Sequence, residues 1–253
     1  MLLDGKVGLI IGVANTHSIA AGCAKVMADE GARLALTYLN EKALPYVSPV
    51  GEAVRAEALL PLNVESDDEM DAAFAKVKAL WGRLDFVLHS IAFCPKDDLH
   101  APVVDCSREG FAQAMDISCH SFIRVARRAL PLMAGGGSLM TVSYYGGEKV
   151  VDHYNIMGPV KAALEATVKY LAVDLGAKGV RVNAISPGPI ATRAASGIDH
   201  FDELLSAAAA RAPERHLATI EDVGGMAAFL ASDKAAAVTG GVHYVDCGVN
   251  IVA

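Results

Sequence analysis

The stretch Lys6-Val7-Gly8-Leu9-Ile10-Ile11-Gly12-Val13-Ala14-Asn15-Thr16-His17-Ser18-Ile19-Ala20-Ala21-Gly22 runs from a short apolar segment through small and polar residues into a helical pattern. A brief apolar run that meets glycine and then an amphipathic stretch reads as strand, turn and helix. The same alternation continues to the end of the chain. Apolar runs recur at 33–38, 57–62, 86–90, 138–143, 180–185 and 242–245, and helices are expected at 19–30, 40–54, 67–81, 108–133, 154–178 and 220–231. Seven strands separated by helices imply a doubly wound α/β fold with a seven-stranded parallel sheet. Any ligand is then expected at the carboxyl ends of the strands.

The 253 residues fit one domain, 1–253, because the pattern has no linker. Hydrophobic residues make up 53% and aromatics 6%, a mix suited to helices packed closely on a buried sheet. A net charge of −7 offers no electrostatic reason to expect nucleic acid or an anionic membrane as partner. No apolar run approaches the roughly 20 residues of a membrane helix, and the start lacks the apolar core of a signal peptide. Five scattered cysteines without a C-x-x-C pair suggest neither a disulfide framework nor a metal site, and a cytoplasmic location is expected. The interval 187–218 is too long for a plain connection and reads as a loop-plus-helix lid over the substrate.

In the first turn Gly12 permits a tight bend, small residues allow close backbone approach, and the helix that begins at Ser18 and Ile19 offers unpaired N–H groups to a pyrophosphate. Alone, these glycines could serve only strand–helix packing. Followed by six further strand–helix units, they point to a dinucleotide. At the second strand end, around Leu39, no arginine is present and Lys42 is the single cation, which favours NADH over NADPH. Asn63 and Val64 follow the third strand, where an amide can meet an adenine edge. After the fourth come His89, Ser90, Ile91, Ala92 and Phe93, small enough at their centre to pass beside a ribose or nicotinamide; His89 itself reads more readily as a satisfied buried histidine than as a catalyst.

Tyr144 and Tyr154 stand ten residues apart, and Lys161 follows Tyr154 by seven. Seven helical residues advance about two turns and roughly 10 Å, which would place phenol and ammonium on one face of one helix. A cation near a phenol favours its ionised form and can also hold hydroxyl groups of a cofactor. Pro159 lies between them, so the helix either begins nearer Pro159 or bends there.

Together, Gly12-x5-Ser18-Ile19-Ala20, His89-Ser90-Ile91, Ser143-Tyr144, Tyr154-Asn155-x-Met157-Gly158-x-x-Lys161, the run from Arg181 to Thr192, Ala195-Ser196-Gly197-Ile198 and Ile220-Glu221-Asp222-Val223-Gly224 resemble the short-chain dehydrogenase/reductase superfamily. Within it they are most similar to the divergent enoyl-acyl-carrier-protein reductases, whose tyrosine–x6–lysine spacing and Ala-Ser-Gly-Ile lid they share. The more general Tyr-x3-Lys arrangement is mimicked by Tyr145 and Lys149, which read as a decoy with Glu148 and Lys149 as solvated loop charges.

The resemblance implies a single Rossmann-type domain and reduction of a trans-2-enoyl thioester on acyl carrier protein. It gives Tyr154, Lys161 and Tyr144 catalytic positions: Tyr154 on the thioester oxygen, Lys161 on the nicotinamide ribose, Tyr144 beside the substrate. Ile190 and Thr192 join the cofactor site, and Phe93, Met157, Ala195, Ile198 and Phe201 form an apolar acyl wall. Arg193, Arg211 and Arg215 read either as a solvated basic face or as a surface for the acidic carrier. A homotetramer is implied, as for its relatives. The alternatives are a carbonyl or alcohol oxidoreductase acting on another substrate, or a dinucleotide-binding regulator without catalysis.

Overall fold

The protein is described by a computed structural model that covers residues 1–192 and 200–252. Strands β1 (Val7–Ile11), β2 (Arg33–Tyr38), β3 (Ala58–Pro61), β4 (Phe86–His89), β5 (Gly137–Val142), β6 (Val180–Pro187) and β7 (Val242–Val245) form one sheet in the order β3-β2-β1-β4-β5-β6-β7. Every pairing is parallel. Because β1 pairs with β2 on one side and β4 on the other, the chain reverses its direction of progress there. The crevice that opens beyond Ile11 and His89, which lie in register, is the ligand position of a Rossmann-type sheet.

Burial on both faces explains why β1 is apolar throughout. Leu9 and Ile11 point into one layer with Phe74 of α3 (Asp67–Trp81), Phe122 of α6 (Ser121–Ala129) and Leu164 of α7 (Met157–Gly176). Ile10 points into the other with Met27 of α1 (Ile19–Asp29), Val47 of α2 (Leu44–Ala53) and Leu230 of α9 (Ile220–Ala231). This is the period-two alternation of a strand, and truncating one such leucine to alanine costs about 2–5 kcal/mol. Helices α1 and α9 meet through glycine: a Cβ on Gly22 would stand 2.5 Å from Ile220 Cβ. Neither helix could approach as closely with alanine there.

The strands fall where the apolar runs place them, and three helices differ. Expected from Tyr154, α7 instead starts at Met157, because His153 and Asn155 hold φ of 61° and 44°, left-handed values that end a helix. Pro159 therefore sits in the first turn, where its missing N–H has no intrahelical partner to lose, and no kink results. The expected helix 108–133 divides into α5 (Arg108–Met115), a π turn (Asp116–His120), α6 and a 3-10 turn (Leu130–Leu132) that contains Pro131. Helix α2 starts at Leu44, after the Asn40 side chain accepts from Ala43 N at 3.2 Å. A short helix, α4 (Lys96–His100), was not expected; the Asp98 carboxylate accepts from Ser107 N at 2.6 Å and fastens it ahead of α5. Of the lid interval, α8 (Phe201–Arg211) is the helix described. No described helix is long and apolar enough to cross a membrane.

Candidate active site

A cleft open to solvent lies at the carboxyl ends of β1, β4, β5 and β6. It is lined by Ser90, Ile91 and Ala92 just after β4, by Ile19, Ile190 and Thr192, and by Tyr144, Tyr154 and Lys161. Phe93 and Met157 complete the expected residues that reach it.

Gly12 shapes the first turn. Its φ is 95°, and a Cβ there would lie 2.2 Å from the carbonyl oxygen of Ser90. Only glycine allows β1 and β4 to end so close together. Its amide donates to Thr37 Oγ1 at 3.1 Å. Ser18, standing where a glycine is frequent, caps α1: its hydroxyl accepts from Ala21 N at 3.3 Å and donates to Asn15 O at 2.8 Å. With that hydroxyl occupied, an anion here meets backbone N–H groups and the positive end of α1. This narrow turn, with glycine at its tightest point and a helix start behind it, fits a pyrophosphate.

Gly12, Ser18, Leu39, Asn63 and Val64 are not among the residues that line the cleft. Leu39 is exposed at the tip of β2. Beside it the Tyr38 hydroxyl donates to Glu41 Oε1 at 3.3 Å, so a carboxylate does stand near the strand tip, delivered three residues later than the strand-end position where one is usual. Val64 is buried in the core with Met70 and Phe74, which leaves only its backbone for a ligand. Asn63 is held by its own turn: its amide N–H donates to Glu69 Oε2 at 2.7 Å and its side chain accepts from Glu65 N at 3.1 Å.

Lys161 is 4% exposed and donates from Nζ to the Val142 carbonyl at 2.7 Å. Burial pulls its ammonium down to about 8, against the opposing attraction of Glu165. One turn further along α7, Glu165 accepts from Ser143 Oγ at 2.6 Å, and burial raises its carboxyl above the usual carboxylate range. The charged face of α7 is thus tied to the end of β5 at two consecutive residues, Val142 and Ser143.

Tyr154 lies just before α7 rather than on it, and is 9% exposed. Its ring stands 4.9 Å from that of Tyr144, edge to face at 66°. Burial, aided by the Glu165 charge, pushes its phenol above the ordinary tyrosine range. Burial and the Glu165 carboxylate, rather than the Lys161 ammonium, set that direction here, and they hold the phenol as a proton donor. Tyr144, between Tyr145 and Tyr154, is raised likewise by burial; Tyr145 is its nearest polar neighbour, but no group among the described residues meets its buried hydroxyl with hydrogen-bond geometry. An orphaned buried donor at the cleft wall is a place for a ligand oxygen.

His89 is the satisfied core histidine: Nε2 lies 2.8 Å from Ser121 Oγ and Nδ1 3.0 Å from Thr141 Oγ1, and those hydroxyls also reach the carbonyls of Ile117 at 2.6 Å and His89 at 3.3 Å. Burial and the Lys161 charge hold its pKa down at about 3. The π turn supplies a further contact: Ser118 Oγ accepts from Phe93 N at 2.9 Å and donates to Phe93 O at 3.0 Å, clamping the loop that follows β4. Of the decoy pair, Tyr145 packs edge-on against Tyr144 at 4.8 Å, whereas Lys149 turns away from it. Lys149 donates to Asn250 O and Glu148 accepts from the Tyr244 hydroxyl, so these are paired loop charges and not merely solvated ones.

Met157, 4% exposed, packs against Tyr154 and Val160 at the start of α7. Arg193, Ala195 and Ile198, and the side chain of Phe201, lie outside the described residues. Seven lining residues were not among the expected site residues: Cys94, Leu99, Val142, Ser143, Pro187, Gly188 and Pro189. Ser143 was signalled by its place beside Tyr144. Leu99 had no signal, since α4 is too short to show periodicity; its carbonyl accepts from Asn155 Nδ2 at 2.7 Å and joins the wall to the Tyr154 loop.

The sequence model described as Enoyl-(Acyl carrier protein) reductase matches residues 12–250. An enoyl-[acyl-carrier-protein] reductase [NADH] of Rhizobium meliloti (strain 1021) is 48% identical over 250 residues, covering 99% of this chain and 93% of that protein. The crystal structure of an enoyl-(acyl-carrier-protein) reductase from Anaplasma phagocytophilum in complex with NAD superposes with a TM-score of 0.96 at 48% identity, covering 100% of this chain and 96% of the other. That of the Bacillus cereus enoyl-acyl carrier protein reductase with NADP+ and indole naphthyridinone gives 0.97 at 45% identity, covering 100% and 99%. By sequence along nearly its whole length and by fold, the chain belongs to the enoyl-(acyl carrier protein) reductase family.

Proposed function

We propose that this chain is an NADH-dependent enoyl-acyl-carrier-protein reductase of fatty-acid synthesis, which reduces a trans-2-enoyl thioester at its β-carbon. The observation that carries the reading is the convergence of Tyr154, the partnerless Tyr144 hydroxyl and Lys161 on one cleft at the strand ends.

The turn at Gly12 and the start of α1 would hold the pyrophosphate; Ser90, Ile91, Ala92, Ile190 and Thr192 would flank the nicotinamide half, and Leu39, Asn63 and Val64 the adenosine half. NADH, when bound, supplies the hydride. Tyr154 donates a hydrogen bond to the thioester oxygen, where negative charge grows as the β-carbon is reduced. Its raised pKa suits that task, because a neutral phenol offers a proton along the bond without surrendering it beforehand. Lys161, anchored on Val142, presents ammonium hydrogens to ribose hydroxyls. Tyr144 fills one side of the substrate position and satisfies its hydroxyl on the ligand. Phe93, Met157 and Leu99 exclude water from the acyl chain, each buried methylene contributing about 0.8 kcal/mol; Ala195, Ile198 and Phe201 are assigned to the same wall.

The Glu41 carboxylate beside the β2 tip supports NADH, since it repels a 2′-phosphate. We read the chain as one domain, 1–253, with 187–218 as the substrate lid. Exposed Phe111, Ile123, Tyr170 and Val173 on α5, α6 and α7 support a homotetramer. The guanidinium groups of Arg211 and Arg215, tied to Val252 O and Ala210 O, give the end of α8 a positive edge for an acidic carrier. Five free cysteines fit a cytoplasmic setting. A steady-state assay tests the proposal: oxidation of NADH with crotonyl thioester and none with acetoacetyl thioester is expected. The reverse preference would establish a carbonyl reductase, and cofactor binding without turnover a regulator.

A further inference from the structure

Away from the cleft, three side chains of metal-ligating chemistry converge at the surface. Glu214 and His216 lie between α8 and α9, and Cys247 follows β7. A carboxylate oxygen, a ring nitrogen and the sulfur all lie within 4.8 Å of one another. His216 Nδ1 is 3.3 Å from Cys247 Sγ, whereas the other ring nitrogen, Nε2, is 3.2 Å from Glu214 Oε2, so an ion held by Nδ1 and Sγ takes Glu214 only after its side chain turns away from Nε2. Ligand atoms about 2.0–2.3 Å from a tetrahedral zinc ion stand roughly 3.2–3.8 Å apart, so thiol and imidazole already have the required span.

Both segments are secured at their bases. The Asp246 carboxylate accepts from Gly248 N at 3.0 Å and from Asn250 N at 2.7 Å, which turns the chain at Cys247 with φ of 54°. Arg215, between the other two ligands, holds φ of 59°, and the reciprocal Thr219–Asp222 cap fixes the chain shortly after His216.

We propose that Cys247, His216 and Glu214 bind a borderline divalent transition metal, with Zn²⁺ as the type and water as the fourth ligand. Thiolate and imidazole select this class over Mg²⁺ and Ca²⁺, which take oxygen ligands. As the metal–sulfur bond forms, the thiol proton leaves to solvent; the imidazole coordinates through its lone pair, and no electron is transferred. The ion ties the segment after α8 to the loop after β7, across 31 residues of sequence between His216 and Cys247. Nothing in the cofactor cleft is involved, so the site stands or falls apart from the reductase reading.

Titration of the full-length, chelator-treated chain with Co²⁺ tests it. One ion per chain is expected, with thiolate-to-cobalt charge-transfer absorption that Zn²⁺ abolishes by displacement. Cys247→Ser should remove that absorption, and both Cys247→Ser and His216→Ala should weaken Zn²⁺ binding about tenfold or more by calorimetry, while Cys106→Ser retains both signals. Circular dichroism establishes that each surface variant is folded. Absence of the band in the parent chain, its survival in Cys247→Ser, or Zn²⁺ affinity unchanged by these two ligand variants would overturn the proposal.

Discussion

Lys161 Nζ donates to the carbonyl oxygen of Val142 at 2.7 Å, fastening the buried end of an α7 side chain to the last residue of β5. The anchor fixes where the ammonium can point, and its two remaining hydrogens are what a ribose would meet. Lys161→Ala is therefore expected to raise the dissociation constant of NADH by tenfold or more, or about 1.4 kcal/mol. Fluorescence titration checks this, and unchanged binding would contradict the ribose role.

Tyr154 has a different task, so its variant should fail differently. Tyr154→Phe keeps the ring that packs against Tyr144 and removes only the hydroxyl. Turnover should fall by about 10²–10³, as for loss of one donor to a developing oxyanion, with NADH affinity within about twofold of the parent. A defect confined to cofactor binding would overturn the assignment.

Leu39 is 56% exposed at the tip of β2, close in sequence to the Glu41 carboxylate held by Tyr38. Leu39→Arg places a planar cation where a 2′-phosphate would lie. The ratio of kcat/KM for NADPH to that for NADH should rise; no change would mean that the ribose lies elsewhere.

His89 makes a prediction for stability. Its pKa is about 3 in the folded chain against an ordinary 6.5. Between those values the unfolded chain takes up a proton that the folded chain refuses, so stability falls as pH falls through this window, with a slope of up to about 1.4 kcal/mol per pH unit. His89→Gln removes that contribution. Urea unfolding followed from pH 6.5 downward should show a flatter dependence than the parent, and an equal slope would show that His89 is not its source.

The sheet was legible because a strand buried on both faces, such as Val7–Ile11, has no room for polar side chains. The cleft was legible wherever chemistry follows closely on a strand, as at Ser90, Ile91 and Tyr144. Breaks in regular geometry were not. His153 and Asn155 carry no mark that they adopt left-handed φ, and their doing so removes Tyr154 from the helix that holds Lys161. The π turn at Asp116–His120 has an ordinary helical sequence, yet Ser118 within it grips Phe93. Contacts across long separations were equally silent: Glu165 with Ser143, and Cys247 with His216, are paired by topology and by no local spacing.

The central claim concerns where hydride goes, and isotope transfer tests it most directly. NADH carrying deuterium at C4 on the transferred face should yield saturated acyl thioester labelled once, at the β-carbon, with one NADH consumed per double bond reduced. Deuterium on a hydroxyl-bearing carbon, or unlabelled product, would contradict the account.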